Sequence, residues 1–423
     1  MKRRRLLIIL FVVIAGLVAF WANASADRCG TWPQNPPGFK HLARGQGLLK
    51  VGAAKAKLEP LFPTTAGGYA PPRATVDHAL SPLYARALVL DVGGEQVGIV
   101  LLDALLIPPQ LRDAIGEGQP FATWVIATHT HSGPSGFDPR MASELAALGT
   151  YHPDDFKVLV TAGRAALKDA LASLAPAKLS VGERMTEGVS TARSGKEVDR
   201  RLTRLQFEKL EGGPLAEMII ASAHPTLVAR RPEGLSPDWP GLLAERMEAN
   251  GGPITLVLQG AAGNASIDRE KLPTPEAAAQ KMEELVRATP VGLQPETIDA
   301  AWSEAHVSLP RPKADRVVPS FLKAAAENAL CDDAEDIAVL HGLKLGEARL
   351  VLVPFEPSFA AGQVLEEQAN ATRVVSLADG YAGYVETIEA ARASEGESKR
   401  QYFPPELLIR LAEGAKLSGK PIE

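Results

Sequence analysis

The sequence predicts an α/β fold in which mixed, layered sheets are flanked by helices and form a single large catalytic domain. Short runs rich in Val, Ile and Leu alternate along the chain with amphipathic helical segments. The apolar runs lack a clean alternation of polar and apolar residues, which is typical of strands buried on both faces. With 423 residues and 46% hydrophobic content, the chain can bury a core of that size.

The first 26 residues have the features of an export signal. A basic segment at residues 2–5 precedes an almost wholly apolar run over residues 6–21, and small residues at 22–26 offer cleavage sites. The same run could instead be kept as an N-terminal membrane anchor. Either alternative predicts a periplasmic or extracellular catalytic part, free or tethered by one N-terminal helix.

Residues 27–48 are rich in proline, glycine and polar side chains, and we predict a leader segment there, followed by the catalytic domain over residues 49–423. The two cysteines are Cys29 and Cys331. An oxidising compartment would permit a disulfide between them, and the alternative is two unrelated small apolar residues.

Predicted strands and helices follow one another along the domain, and the first two strands form a hairpin across residues 92–96. The predicted strands cover residues 85–91, 97–103, 124–128, 217–223, 254–259, 349–355 and 373–377. The predicted helices cover residues 154–174, 240–250, 275–288, 320–330, 361–369 and 405–415.

Each of the last five predicted strands runs directly into polar or glycine-rich residues. These are His129, His224, the small-residue loop 260–264, Glu356 and the segment 379–384. In layered α/β folds, ligands bind beyond the carboxyl ends of the strands. We therefore expect these five segments to converge at one edge of the sheets.

His129 and His131 form an HxH pair after an apolar strand. In an extended segment, residues i and i+2 point to the same side, so both imidazoles would face one metal or one substrate. Two histidines and a carboxylate are a common ligand set in hydrolytic zinc sites, and His224 and Glu356 can complete it. The alternative for each of these side chains is a structural role at a strand end.

Other residues near the strand ends are candidates for transition-state stabilisation. The backbone N–H groups of the loop before Ser266 could face a developing oxyanion, or the loop could simply be a tight turn. Arg193 could hold a carbonyl or an anionic group. Tyr381 and Tyr384 could ligate a metal, donate a proton or pack. The charged segment 199–201 is predicted to be a solvated cluster.

The composition excludes nucleic acid as a partner. The net charge is -5, and aromatic residues make up only 5% of the chain. A nucleic-acid-binding surface needs a concentration of positive charge or a set of aromatic platforms. The loop before Ser266 also lacks the signatures of a phosphate-binding loop and of a serine nucleophile elbow.

Together, the ordered motifs resemble the neutral/alkaline, non-lysosomal ceramidases over roughly residues 49–405. The most specific motif is THTHSGP at residues 128–134. The others are VGAAK at 51–55, GGYA at 67–70, ARAL at 85–88, His224, SPDWPG at 236–241, GNAS at 263–266, Glu356 and GYAGY at 380–384.

The resemblance implies one Zn²⁺ per chain, held by His129, His224, Glu356 and one tyrosine, with Tyr384 preferred to Tyr381. A zinc-activated water would then cleave the N-acyl bond of ceramide or a related lipid to a fatty acid and a sphingoid base. The lipid substrate in turn suggests association with a membrane surface.

Further roles follow from the same resemblance. His131 would lie beside the attacking water and handle its proton. Arg193 and Ser266 match catalytic positions of the family, and Arg193, the loop N–H groups or Tyr381 would stabilise the oxyanion.

The sequence departs from the family at three points. Residues 263–268 read GNASID where the family has GDVSPN, Ser135 replaces a glycine, and the C-terminal immunoglobulin-like domain has no counterpart. These departures leave two alternatives open, a zinc esterase or amidase with another substrate and a non-catalytic envelope protein that keeps the fold.

Overall fold

The computed structural model of the chain describes residues 14, 16, 29, 30, 32, 35–70, 74–194, 197–315 and 318–420. The export signal or anchor predicted over residues 1–26 lies outside these residues, except for two isolated positions. Among the residues described, none of the helices combines the length and the apolar character needed to cross a bilayer.

Most of the strands belong to one 13-stranded mixed sheet, and the others form short two-stranded pairs. In chain order the strands are β1 Gly38–Leu58, β2 Thr64–Thr65, β3 Thr75–Val76, β4 Leu83–Val92, β5 Glu95–Leu102, β6 Ala122–Ala127, β7 Ala175–Met185, β8 Ser190–Ala192, β9 Arg201–Lys209, β10 Pro214–Ala221, β11 Ile254–Gln259, β12 Ala265–Ile267, β13 Gly292–Leu293, β14 Thr297–Ser308, β15 Ile337–Leu345, β16 Ala348–Leu352, β17 Glu356–Pro357, β18 Arg373–Val375 and β19 Tyr384–Val385.

Helices cover the outer faces of the sheet. They are α1 Pro109–Gly116, α2 Met141–Ser143, α3 Pro153–Ala172, α4 Asp238–Glu248, α5 Pro275–Arg287, α6 Lys323–Asp333, α7 Phe359–Ala369, α8 Ile388–Ala393 and α9 Leu407–Gly419. A π-helical turn at Glu144–Leu148 continues α2, and 3-10 turns lie at Ala249–Gly251, Ser320–Leu322 and Ser398–Arg400.

Strand β1 joins the two halves of the sheet. Its first part, residues 38–48, pairs antiparallel with β14, and its second part, residues 49–58, pairs antiparallel with β4. The segment predicted as a leader therefore contributes about half of its residues to the sheet, and the boundary predicted at residue 49 falls inside a strand. Its glycines and polar residues are accommodated because only alternate side chains of a strand face the core.

The strands are buried on both faces, as their composition predicts. Leu88 and Leu90 of β4 belong to a central core shared with strands of the other half, whereas Ala87 and Val89 face a second core under α1 and α3. Two further cores lie between the sheet and helices α7 and α9, and between the sheet and helices α4 and α5. This arrangement confirms the predicted α/β fold with layered sheets and flanking helices.

Every predicted strand and helix is present, with ends shifted by a few residues. The predicted hairpin is formed by β4 and β5, where Gly93 and Gly94 supply the positive φ angles of a tight two-residue turn. Five longer strands, β1, β7, β9, β14 and β15, have no counterpart in the sequence-based prediction. Their small and polar residues hide the apolar pattern, since β14 buries alanines and serines beside Trp302.

Cys29 and Cys331 form a disulfide, which confirms the predicted bond between the two cysteines. Cys331 lies on α6, whose Leu330 lines the main cavity of the protein. The disulfide therefore ties the segment that follows the predicted signal to a helix of the cavity wall. It is compatible with an exported protein.

The predicted solvated cluster at residues 199–201 is wrong for Asp199, which is 1% exposed. Its carboxylate accepts hydrogen bonds from Arg201 at 2.8 Å, from the fully buried Arg373 at 2.8 Å and from Ser222 at 3.0 Å. Burial alone would raise the pKa of Asp199, but Arg373 and Arg201 hold that pKa below its ordinary value. The sequence suggested solvation because it does not show the distant partner Arg373.

Replacing Asp199 with alanine should lower the free energy of unfolding by about 3–5 kcal/mol, because it leaves the Arg373 guanidinium buried without its carboxylate. Urea unfolding at neutral pH measures the change. The matched control is Asp154→Ala, which removes an exposed carboxylate paired with Lys157 and should change stability by less than about 1 kcal/mol. Equal effects of the two substitutions would contradict the structural role of Asp199.

Candidate metal centre

The predicted convergence of strand ends is confirmed. The five strands concerned are β6, β10, β11, β16 and β18, and each of them belongs to a parallel pair. These pairs are β5–β6, β10–β11 and β16–β18. Parallel neighbours end at the same edge of the sheet. Near that edge, backbone bridges join Ile126 of β6 to Ala378 and His224 to Ser266.

Three histidine side chains meet at this edge. The Nε2 atoms of His129 and His131 are 3.4 Å apart, and the ring centroids of His129 and His224 are 4.9 Å apart. The ligand atoms of the three rings all lie within 4.8 Å of one another. Two of the rings belong to fully buried residues, and His131 lines the cavity.

Backbone carbonyls fix the tautomer of each ring. The Nδ1 atom of His129 contacts the carbonyl of Leu105 at 2.7 Å, and that of His131 contacts the carbonyl of Gly68 at 2.8 Å. The Nδ1 atom of His224 contacts the carbonyl of Ala262 at 2.8 Å. A carbonyl only accepts, so each Nδ1 carries the hydrogen, and the three Nε2 lone pairs point into the site.

Glu356 adds a carboxylate to these lone pairs. Its Oε2 atom lies 2.7 Å from Nε2 of His224 and 3.1 Å from Nε2 of His129, and no residue in the described ranges donates a hydrogen bond to it. An acceptor facing two other acceptors at these distances is favourable only if a cation lies between them. The donor set of imidazole nitrogens and a carboxylate oxygen is one that zinc prefers.

The two tyrosines contact different parts of this cluster. The Tyr384 hydroxyl lies 2.9 Å from Nε2 of His224, and strand β19 places Tyr384 directly beside Glu356 of β17. The Tyr381 hydroxyl donates to Oε1 of Glu356 at 2.7 Å. Tyr384 is therefore the tyrosine that faces the histidine nitrogens, and Tyr381 holds the far oxygen of the carboxylate.

The HxH pair converges by a different geometry from the predicted one. Strand β6 ends at Ala127, and His129 has a φ of 69°, in the left-handed region. His129 and His131 are therefore brought together by a turn after the strand and not by an extended segment. A β-carbon on Gly68 would lie 2.5 Å from the His131 backbone, so only glycine permits this close approach.

Arg193 and Ser266 lie together at the side of the cluster. The Arg193 guanidinium donates from Nε to Oγ of Ser266 at 2.9 Å and from Nη1 to the Tyr384 hydroxyl at 3.3 Å. Ser266 lies on β12, which pairs antiparallel with β8, and Arg193 directly follows the last residue of β8. Ser266 thus contacts Arg193 and fixes the direction of its guanidinium.

Four N–H groups of the loop are not available to an oxyanion. Gly260, Ala262, Gly263 and Ala265 each donate their N–H to a backbone carbonyl of the protein. Asn264 also ties the loop in place, because its side chain donates to a backbone carbonyl at 2.9 Å and accepts from the Phe359 N–H at 2.9 Å. The loop is the tight turn of the alternative prediction.

The pKa shifts give residues of the cluster the protonation states of metal ligands. Burial lowers the pKa of His131 well below its ordinary value, and burial together with Arg193 lowers that of His224 to about 4. Burial alone would raise the pKa of Glu356, but the facing His129 and His224 hold it well below its ordinary value. At neutral pH these groups are neutral imidazoles and an ionised carboxylate, which is the state that binds metal.

A cavity of about 860 Å³ opens above the cluster. Its apolar lining comes from three separate segments and includes Leu105, Leu106, Ala146, Leu330 and Ala334. The volume lies within the range of small-molecule and lipid-binding sites.

The sequence-based prediction missed two residues that connect the cluster to the cavity opening. The Tyr69 ring lies 5.1 Å from that of His131, and the Arg230 guanidinium lies 4.9 Å from the Tyr69 ring. Tyr69 belongs to the GGYA motif, which was noted without a role. For Arg230, the only signal in the sequence is the pair of adjacent arginines at residues 230 and 231, soon after His224.

Comparisons with known proteins agree with this architecture. Neither protein-family models nor curated proteins give a match. Among solved structures, neutral ceramidase from Pseudomonas aeruginosa superposes with a TM-score of 0.72 at 17% identity, covering 89% of this chain and 76% of that chain. A ceramidase complexed with C2 gives a TM-score of 0.72 at 18% identity with the same coverage. The resemblance drawn from the motifs is thus confirmed in three dimensions, and this chain has the fold of neutral ceramidase.

Proposed function

We propose that this chain is an exported zinc-dependent amide hydrolase that cleaves the N-acyl bond of ceramide or a related lipid. The observation that carries the proposal is the convergence of three histidine Nε2 lone pairs and the Glu356 carboxylate at the base of the cavity. The shared fold with neutral ceramidase and the apolar cavity support the lipid substrate.

His129, His224, Glu356 and Tyr384 would hold the ion. A zinc ion in this position would supply Lewis acidity, which lowers the pKa of water and polarises a carbonyl. The Nδ1 hydrogen bonds to backbone carbonyls keep the imidazole rings oriented and their Nε2 atoms unprotonated. Tyr381 keeps the Glu356 carboxylate turned towards the histidines.

His131 is the candidate general base. Its Nδ1–H donates to the Gly68 carbonyl, so its Nε2 is free to accept a proton. His131 would take the proton of the attacking water and later return it to the departing amine nitrogen. Because its Nε2 is 3.4 Å from that of His129, His131 is also a candidate ligand.

Arg193 is the group best placed to stabilise the oxyanion. It lines the cavity, it is held by Ser266, and it contacts Tyr384 beside the histidines. A fixed guanidinium offers several N–H donors and a full positive charge to a carbonyl oxygen that becomes negative.

Metal analysis gives the direct test. Purified protein should contain about one equivalent of zinc per chain, and a chelator should remove both the metal and the hydrolysis of ceramide. Adding zinc back should restore activity, whereas magnesium should not, because it prefers oxygen ligands. Less than about half an equivalent of any transition metal after gentle purification would contradict the proposal.

A panel of substrates separates the proposed activity from its alternatives. Mass spectrometry of the products of ceramide should show free fatty acid and sphingoid base. Hydrolysis of simple esters without hydrolysis of any N-acyl lipid would indicate a zinc esterase. Bound zinc without turnover of any amide or ester would indicate a non-catalytic protein.

A further inference from the structure

The cavity lining has a charge opposite to that of the whole chain. Among the residues that the structure describes, six cationic side chains and a single carboxylate, that of Glu356, line the cavity, although the net charge of the protein is -5. The cationic residues are Arg140, Arg193, Arg230, Arg269, Lys399 and Arg400. A bound metal ion would neutralise the carboxylate and leave the lining strongly positive.

Three of these cations are already engaged with carboxylates outside the cavity. Arg140 forms an ion pair with Asp138 at 2.8 Å, and Arg400 forms one with Glu397. Arg193 lies 3.9 Å from the same Glu397. Asp138 and Glu397 offset these three charges in part, so the case for an anionic ligand rests on the other three cations.

The remaining three cations, Arg230, Arg269 and Lys399, form no ion pair with any residue in the described ranges. All three are exposed and also line the cavity, which places them at its opening. Two of them are held in position, because Arg230 lies over the Tyr69 ring and Arg269 donates to the Thr226 carbonyl.

We propose that the substrate carries an anionic head group, a phosphate or a carboxylate, which Arg230, Arg269 and Lys399 bind at the cavity opening. The inference rests on the proposed hydrolysis of an N-acyl lipid in the same cavity. Tyr69 separates Arg230 from His131 by one aromatic ring, so an anionic group bound by Arg230 would lie one ring away from His131. A guanidinium binds phosphate and carboxylate oxygens through paired N–H donors.

Two matched pairs of substrates test the proposal and distinguish the sources of the charge. The first pair is ceramide and the same ceramide phosphorylated on its primary hydroxyl. The second pair is an N-acyl amino acid and its neutral carboxamide. We expect kcat/KM for the anionic member of at least one pair to exceed that of its neutral partner by about tenfold or more, and to fall as salt is added.

Substitutions at the opening give the second readout. Arg230→Gln and Arg269→Gln should each lower kcat/KM for the anionic substrate by about tenfold and change that for the neutral substrate by less than about twofold. Lys399→Gln should act in the same direction but more weakly, because no hydrogen bond or ion pair with a described residue holds its side chain. The control Lys168→Gln, an exposed lysine of α3 outside the cavity lining, should leave both substrates unchanged.

Equilibrium binding of short-chain forms of the same lipids, measured in the presence of a chelator, separates this inference from the proposed function. Arginine-dependent binding of the anionic form would support the anionic site. If the zinc-loaded protein without chelator then hydrolyses none of these amides, the proposed amide hydrolysis is contradicted. Equal binding of anionic and neutral forms, or no binding of either, would overturn the anionic site even if ceramide is hydrolysed.

Discussion

Glu356→Ala should yield a protein that binds almost no zinc and whose kcat/KM is lower by at least about 10³-fold. The carboxylate is the negative charge that faces the Nε2 atoms of His129 and His224, and Tyr381 holds it there. Without it, the remaining ligand atoms are neutral imidazoles and a tyrosine hydroxyl. Metal analysis after dialysis and steady-state kinetics measure the two effects.

Thermal unfolding provides a test that does not depend on activity. A ligand that binds only the folded state raises the melting temperature, so zinc should stabilise the metal-free wild-type protein but not the Glu356→Ala variant. His129→Ala should behave in the same way. A variant that keeps a full equivalent of metal would show that the substituted residue is not a ligand.

The control for general damage to the fold is Glu217→Ala. Glu217 is buried in β10 and forms an ion pair with Arg204 of β9, away from the cavity lining. Its removal should lower the free energy of unfolding by about 3–5 kcal/mol and leave about one equivalent of zinc bound. The two substitutions together separate loss of a ligand from loss of stability.

The position of the site could be predicted because the sequence itself shows which apolar runs are strands and at which residue each strand ends. Apolar runs that end in His129, His224 and Glu356 indicate strands whose carboxyl ends carry chemistry, and parallel pairing brings such ends together. The cores of these strands are continuous Val, Ile and Leu runs, which makes their assignment secure.

The orientation of the site residues could not be predicted in the same way. The tautomer of His131 depends on the carbonyl of Gly68, which is 63 residues distant, and His129 adopts a left-handed backbone that the HxH pattern does not reveal. The N–H groups of Gly260 and Gly263 looked available because their acceptors, the carbonyls of Ala221 and Pro357, come from other segments. Hydrogen-bond partners that depend on tertiary contacts cannot be predicted from a sequence pattern.

Arg193→Met should lower kcat by about 10²–10³-fold while zinc stays bound and KM changes by no more than a few fold. The guanidinium would act on the charge that develops on the carbonyl oxygen, so its loss affects the transition state more than substrate binding. Metal analysis and steady-state kinetics with ceramide separate these effects. Loss of the metal in this variant would instead assign Arg193 to the support of Tyr384.

Ser266→Ala should lower kcat by only about tenfold, because it removes the acceptor that orients Nε of Arg193 and leaves the positive charge in place. If Ser266 acts through Arg193, the double variant should be no slower than Arg193→Met alone, since the serine then has nothing left to orient. Additive losses would mean that Ser266 contacts the reacting atoms independently. This double-mutant cycle therefore decides whether Ser266 is a positioning residue or a catalytic one.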